Sequence, residues 1–115
     1  MSQSCLFCRI VDGKIPAETC YNGEHVLAFA DIKPVAPVHV LVIPKQHIAS
    51  LSQLQPQHSE VSAQLMLGIQ KVVQSHNLDG SGYRVVMNTG SQAGQEVLHL
   101  HAHVLGGRCF TWPPG

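Results

Sequence analysis

At 115 residues the chain has room for one domain with one core, but not for two. It is 44% hydrophobic and 12% charged, with zero formal charge when histidine is neutral, so its bulk electrostatics suit neither a nucleic-acid backbone nor an anionic membrane surface. The longest apolar segments, near Val40-Ile43 and Val104-Leu105, are far too short to span a bilayer, and Met1-Ser2-Gln3-Ser4-Cys5 lacks the basic start and apolar run of a secretory leader. A cytoplasmic protein is expected. Its cysteines, Cys5, Cys8, Cys20 and Cys109, then read as thiols or metal ligands rather than disulfides.

In chain order, residues 4–12 suit a short helix that ends at Asp12-Gly13, with Leu6, Phe7 and Ile10 forming an apolar patch. Thr19-Asn22 and His25-Asp31 read as two strands joined at Asn22-Gly23, a hairpin signal. Two prolines stiffen the loop Lys33-Pro37. Val38-Ile43 is apolar and β-branched, a buried strand that Pro44 ends. Residues 56–76 carry the one clear helix: Val61, Leu65, Ile69, Val72 and Val73 make a single apolar stripe, and Gln57, Glu60, Gln64, Lys71 and Gln74 fall on the wetter side. Asn77-Gly82 stops it. Tyr83-Asn88 is a further strand, and Thr89-Gly94 a flexible polar loop. Five strands with short connections and one long helix predict an α+β domain, an antiparallel sheet with the helix on one face. No repeat or linker divides residues 1–115.

The stretch from Gly94 to Gly107 carries the chemistry. His99, His101 and His103 alternate with apolar residues, which reads as a strand with the three imidazoles on one face and Leu98, Leu100, Ala102 and Val104 buried on the other. On a regular strand His99 and His103 stand about 13 Å apart, so one metal ion could take two neighbouring histidines but all three only if the strand bent sharply. At least one imidazole therefore has another task, as nucleophile, general base or general acid.

This stretch, with its flanks, resembles the histidine triad (HIT) family of nucleotide hydrolases and transferases. His-x-His-x-His is followed by Val104-Leu105-Gly106-Gly107-Arg108. Upstream stand Phe29-Ala30-Asp31-Ile32, Pro34, Ala36-Pro37, His39, Val42-Ile43-Pro44-Lys45 and His47, then Arg84-Asn88 and Gly94-Gln95. The closing Trp112-Pro113-Pro114-Gly115 is similar to the end of the histidine triad nucleotide-binding (Hint) branch. The resemblance implies a homodimer whose two five-stranded sheets join into one ten-stranded sheet, with Trp112 and its prolines touching the partner. It also implies cleavage at the α-phosphate of purine nucleotides, with P–N bonds such as that of adenosine 5′-phosphoramidate preferred and AMP or GMP released.

The resemblance makes His101 the nucleophile, forming a covalent nucleotidyl-histidine. Its other ring nitrogen must then give its proton to an acceptor, which fixes the tautomer. His103 is placed to contact the leaving group, and His39 to complete the network around the phosphate. Asn88, Gly94 and Gln95 match positions that line the phosphate, with Glu96 and Val97 following in the same nucleotide-binding loop. Asp31 matches the position that holds the ribose hydroxyls. Leu6, Phe7, Ile10, Phe29 and Ile32 would form the slot for the base. Glu96 stands where eukaryotic members usually have serine and bacterial relatives often glutamate. An ionised carboxylate cannot donate to a leaving group, so an altered leaving-group preference is expected. Three other readings are a nucleotide-binding regulatory protein with vestigial activity, a purely metal-binding protein, for which Asn88, Gly94 and Gln95 would be irrelevant, and a dinucleoside polyphosphate hydrolase.

Cys5-x-x-Cys8 alone could be redox-active or metal-binding. Zinc takes four sulfur or nitrogen ligands. His47 and His99 are the natural completions, and some bacterial members are similar. Such a site would staple the N-terminus to the sheet, and it would deny His99 a proton-relay role, since a metal-bound nitrogen does not titrate freely. Cys20 and Cys109 read as plain thiols.

Overall fold

The computed structural model describes residues 4–115; Met1, Ser2 and Gln3, part of the start read above for a leader, lie outside them. Helix α1 is Leu6–Val11, β1 Thr19–Asn22, β2 Val26–Ala30, β3 Val38–Pro44, α2 Ser59–Ser75, β4 Tyr83–Val86 and β5 Ala102–Gly106. The five strands form one antiparallel sheet in the order β1-β2-β3-β5-β4. The last strand thus inserts beside β3, which brings the C-terminal histidines next to His39. No helix among the described residues is long and apolar enough to cross a membrane.

Helix α2 begins after a 3-10 turn at Pro56–His58, because a proline is tolerated at a helix start, where its missing N–H is not needed. It ends before Asn77, which takes the left-handed conformation with φ 56°. Every member of the expected stripe is buried, packed with Val26, Ala28, Val40, Val42, Ala102 and Val104 of the sheet. Gly68 lets the helix approach closely: a Cβ there would lie 2.8 Å from a methyl of Val26.

The opposite face carries Leu27, Phe29, Leu41 and Ile43, covered by Phe7 of α1. Burying a phenylalanine of this kind contributes on the order of 2–3 kcal/mol, enough to dock a six-residue helix that would not persist alone. His103 is paired with Leu41 and His39 with Leu105, so both histidines share this second face.

Several boundaries differ from the sequence reading: the helices expected over 4–12 and 56–76 are trimmed to α1 and α2, and β3 runs through Pro44 instead of ending before it. The strand expected over 25–31 is shorter, Val26–Ala30, and that over 83–88 stops at Val86. The largest departure is the histidine stretch. Only Ala102–Gly106 joins the sheet, while residues 97–99 are bends. His99 and His101 therefore precede the strand. Leu100, Ala102 and Val104 are buried against α2 as expected, but Leu98 is 67% exposed. The bend turns Leu98 outward because the His99 side chain is drawn to the N-terminal segment, away from the ladder.

Candidate active site and metal centre

Asp31 follows β2 directly and stands across from His39, with its N–H bonded to the His39 carbonyl at 3.0 Å. Its carboxylate lies 3.3 Å from His39 Nε2. His39 Nε2 is also 2.9 Å from His103 Nδ1, and the Val35 N–H donates to His39 Nδ1 at 3.1 Å. An amide N–H can only donate, so Nδ1 of His39 accepts and its neutral ring carries the proton on Nε2. That proton is shared by His103 Nδ1 and Asp31. His103 then accepts at Nδ1 and keeps its own proton on Nε2.

His101 is fixed the other way round. Its Nδ1 lies 2.7 Å from the His99 carbonyl, which can only accept. Nδ1–H therefore donates, and Nε2 holds a lone pair. The ring is buried, edge-on to Phe7 at 5.2 Å and 5.0 Å from the His103 ring. The site thus presents an unprotonated nitrogen on His101 beside a protonated nitrogen on His103.

Burial lowers the pKa of His39, against the pull of Asp31. Burial also lowers His103, helped by His101 and His39 and opposed by Asp31 and Glu96. His99 is lowered by burial in spite of its bond to Pro44, with His47 and His101 adding to the effect. Below about pH 6.5 the unfolded chain takes up protons that these folded imidazoles refuse. Stability should therefore be level above that pH and fall steadily as the pH drops through 6 towards 5. Urea midpoints measured across this range would test it; a midpoint that rises on acidification contradicts it.

The second cluster joins the N-terminus to the sheet. Cys5 Sγ and His99 Nδ1 are 3.3 Å apart, Cys8 Sγ and His47 Nδ1 3.3 Å, Cys8 Sγ and His99 Nδ1 3.6 Å, and the two Nδ1 atoms 3.2 Å. A tetrahedral centre with metal–sulfur bonds of about 2.3 Å and metal–nitrogen bonds of about 2.05 Å has N–N edges of about 3.3 Å and S–N edges of about 3.6 Å. The four donors match those edges, and all lie within 4.8 Å of one another. His99 Nε2 donates to the Pro44 carbonyl at 2.8 Å, which leaves the Nδ1 lone pair facing the other donors. These residues fit a four-coordinate metal.

Asp31, His39 and His103 are a second group close enough to hold an ion. Their hydrogen bonds argue against it. The Val35 N–H occupies Nδ1 of His39 and keeps the proton on the nitrogen that faces the group. The first cluster could hold a metal ion, while the second is joined by hydrogen bonds of its own.

The remaining expected site residues divide. Phe7 and Phe29 are buried in edge contact at 5.5 Å, and Ile10 packs against them. Leu6 is 40% exposed and Ile32 93% exposed, so both lie at the rim of any slot. Asn88 is half-buried just beyond β4. The Gln95 amide is already engaged: Oε1 accepts the Gly90 N–H, and Nε2 donates to the carbonyls of Ala49 and Val97. It holds the loop expected to be flexible, and Gly94 turns that loop with φ 81°. Glu96 is exposed, and Val97 packs on the Phe7 cluster. Cys20 and Cys109 are both exposed. A cavity of about 500 Å³ opens between Cys5, Leu6, His47, Glu96, Val97 and Leu98. A larger one, about 670 Å³, is lined by Tyr83, Arg84, Arg108 and Phe110 and holds none of the histidines.

Residues 12–110 match the family model of the HIT domain. The chain belongs to the HIT domain family. An uncharacterized HIT-like protein of Synechococcus elongatus is 45% identical over the full length of both chains. The crystal structure of a HIT family hydrolase from Legionella pneumophila superimposes with a TM-score of 0.94, at 47% identity, covering 97% of this chain and all of the other. A histidine triad protein of Clostridium difficile gives 0.92 at 40% identity, with 96% of each chain covered. The HIT fold here has the five-stranded antiparallel sheet, the long helix and the short N-terminal helix that the sequence implied.

The backbone groups that fix the tautomers were missed by the sequence reading: the Val35 N–H and the carbonyls of Pro44 and His99. Every residue carries such groups, so no side-chain pattern announces them.

Proposed function

We propose that this protein is a hydrolase of purine nucleoside 5′-phosphoramidates, working through a covalent nucleotidyl-His101 and releasing AMP or GMP. The observation that carries the reading is the opposed pair of tautomers, a lone pair on His101 Nε2 beside a proton on His103 Nε2. The His101 lone pair attacks phosphorus, and the P–N bond of the substrate breaks towards nitrogen. That nitrogen takes a proton handed on by the Nε2–H of His103, which His103 regains from solvent, and leaves as a neutral amine. His39 and Asp31 keep His103 in the tautomer that donates at Nε2. Water then attacks phosphorus and loses a proton to solvent, the bond to His101 breaks, and the nucleoside monophosphate departs. The hydrolase naming of the Legionella relative agrees with this direction. Incubating the purified protein with adenosine 5′-phosphoramidate should give AMP and ammonia in equal amounts. Binding of AMP without any turnover would favour a regulatory nucleotide-binding role.

The base is assigned to the slot around Phe7, Ile10 and Phe29, with Leu6 and Ile32 at its rim, and the ribose to Asp31. The loop of Asn88, Gly94, Gln95, Glu96 and Val97 borders the phosphate, with the Gln95 side chain shaping the loop. Glu96 sits on the cavity wall and is felt electrostatically by His103. A carboxylate there favours cationic amine leaving groups and disfavours anionic ones. Glu96→Ser should shift kcat/KM between a lysine-like amine and an acidic amino acid a few-fold, up to about fivefold, towards the acidic one, the scale of one exposed charge pair. Unchanged ranking would contradict the assignment.

The metal held by Cys5, Cys8, His47 and His99 is proposed to be zinc, bound structurally and taking no part in the chemical steps. A cytoplasmic location is also proposed, supported by four cysteines that form no disulfide. A homodimer through β4 is also proposed. That edge strand ends the sheet, is regular and exposes Tyr83 and Val85, whereas β1 at the other edge carries a register shift of the kind that discourages pairing. Trp112 is 81% exposed beyond it, on a tail tied to Arg84 through the Thr111 carbonyl. Light scattering should return twice the chain mass of 12.5 kDa; a monomer at micromolar concentration refutes the dimer.

A further inference from the structure

We propose that metal occupancy sets the tautomer of the nucleophile, with His99 as the positioning residue between the two centres. The inference rests on the metal reading above and goes beyond it. The imidazole of His99 belongs to the metal cluster, and its backbone carbonyl belongs to the active centre. Among the described residues, that carbonyl makes the only hydrogen bond to the His101 ring. The proton on Nδ1, and so the lone pair on Nε2, depends on where one peptide oxygen stands.

The sheet does not hold that oxygen. Residues 97–99 are bends, and β5 begins only at Ala102. The Leu100 N–H bonds to the Ile48 carbonyl, outside any ladder. That bond holds the peptide carrying the oxygen from one side, next to His47 in the chain, and the fully buried His99 side chain anchors it from the other. It is held by Pro44 at Nε2 and by the two thiols and His47 at Nδ1. A metal turns those three Nδ1 neighbours into one rigid centre. Without it, donors lie 3.2–3.6 Å apart with too few protons among them to bond every pair, and the anchor loosens. The ring of an unconstrained histidine side chain prefers its proton on Nε2. A His101 that loses its carbonyl partner therefore protonates the nitrogen that must attack.

The test is nitrogen NMR of ring-labelled histidines in the purified protein, before and after chelation, with zinc or cadmium then restored. With metal, His101 should show a single Nδ1–H tautomer. Depletion should mix in the Nε2–H form and lower kcat at least tenfold beyond any change in KM, and restored metal should reverse both. Depleted, folded protein that keeps the Nδ1–H tautomer overturns the proposal. A protein that neither contains nor takes up zinc or cadmium overturns the metal reading itself and the proposal with it, and uptake distinguishes the two failures.

Chelation also loosens the N-terminus, so a pair of variants at the exposed His47 carries the same test. His47→Cys keeps four ligands and His47→Gln keeps three. At a chelator concentration that strips only the three-ligand site, the cysteine variant should retain the Nδ1–H tautomer and the rate, and the glutamine variant should lose both. Identical His101 spectra in a metal-bearing cysteine variant and a stripped glutamine variant overturn the proposal.

Discussion

Replacing His101 by alanine should lower kcat for adenosine 5′-phosphoramidate by about 10⁴-fold or more, the scale on which a covalent catalyst fails without its nucleophile. AMP should still bind within a few-fold of wild type, because the base slot, Asp31 and the 88–97 loop are untouched. The loss falls on kcat because no other group in the site has the same electronic state. His103 and His39 each accept a hydrogen bond at Nδ1 and hold a proton on Nε2. His99 has its Nδ1 among the thiols and its Nε2 on Pro44. Only His101 offers a lone pair on a nitrogen outside the hydrogen-bond network. Acid-quenched wild type should carry the added mass of one adenylyl group, and the variant none. A variant that turns over at a tenth of the wild-type rate would place the nucleophile elsewhere.

The sheet and helix were legible because burial repeats with the period of the element. Val61, Leu65, Ile69, Val72 and Val73 face the sheet for no reason beyond their helical spacing. The histidine stretch was only half legible. Alternation correctly separated Leu100, Ala102 and Val104 from the imidazoles, since it records which side of the chain a residue occupies. It does not record whether the backbone is hydrogen-bonded to a neighbour. The bend that takes His99 out of the strand is imposed by Cys5, 94 residues away in sequence, and by Cys8 and His47. That same bend answers the spacing problem of three histidines on one strand: His99 goes to the Cys5, Cys8 and His47 cluster, and His101 and His103 stay together beside His39.

Side-chain type alone would also confuse the two clusters, since each gathers histidines with thiols or a carboxylate that could serve as ligands. The difference is made by backbone atoms. A carbonyl on the far nitrogen leaves the His99 Nδ1 lone pair turned to the thiols, and an amide on the far nitrogen puts the His39 proton on the nitrogen that faces His103. Reading the outer bond of each imidazole therefore assigns its role more securely than counting donors does.

Stripping the metal should produce the largest loss of stability in the molecule. A metal present at a thousand times its dissociation constant stabilises the fold by about 4 kcal/mol, provided that the unfolded chain binds it weakly. In a domain of this size each kcal/mol moves Tm by about 4 °C, so chelation should lower Tm by roughly 15 °C. The protein should nevertheless stay folded, because the α2 face and the Leu27, Phe29, Leu41 and Ile43 cluster bury their surface without help from the metal. The loss should be local first. Helix α1 has six residues and is held by Phe7, by Cys8 and by Cys5 at its N-cap, so amide exchange should rise there and at residues 97–101 before it rises in β3. Cys8→Ser should reproduce the chelated melt, since Cys8 is buried and serine is a poor zinc ligand, and added zinc should not restore it. Cys20→Ser, at an exposed thiol away from both clusters, should leave Tm within about 1 °C. Equal melting of the chelated and untreated wild type would remove the metal from any structural role.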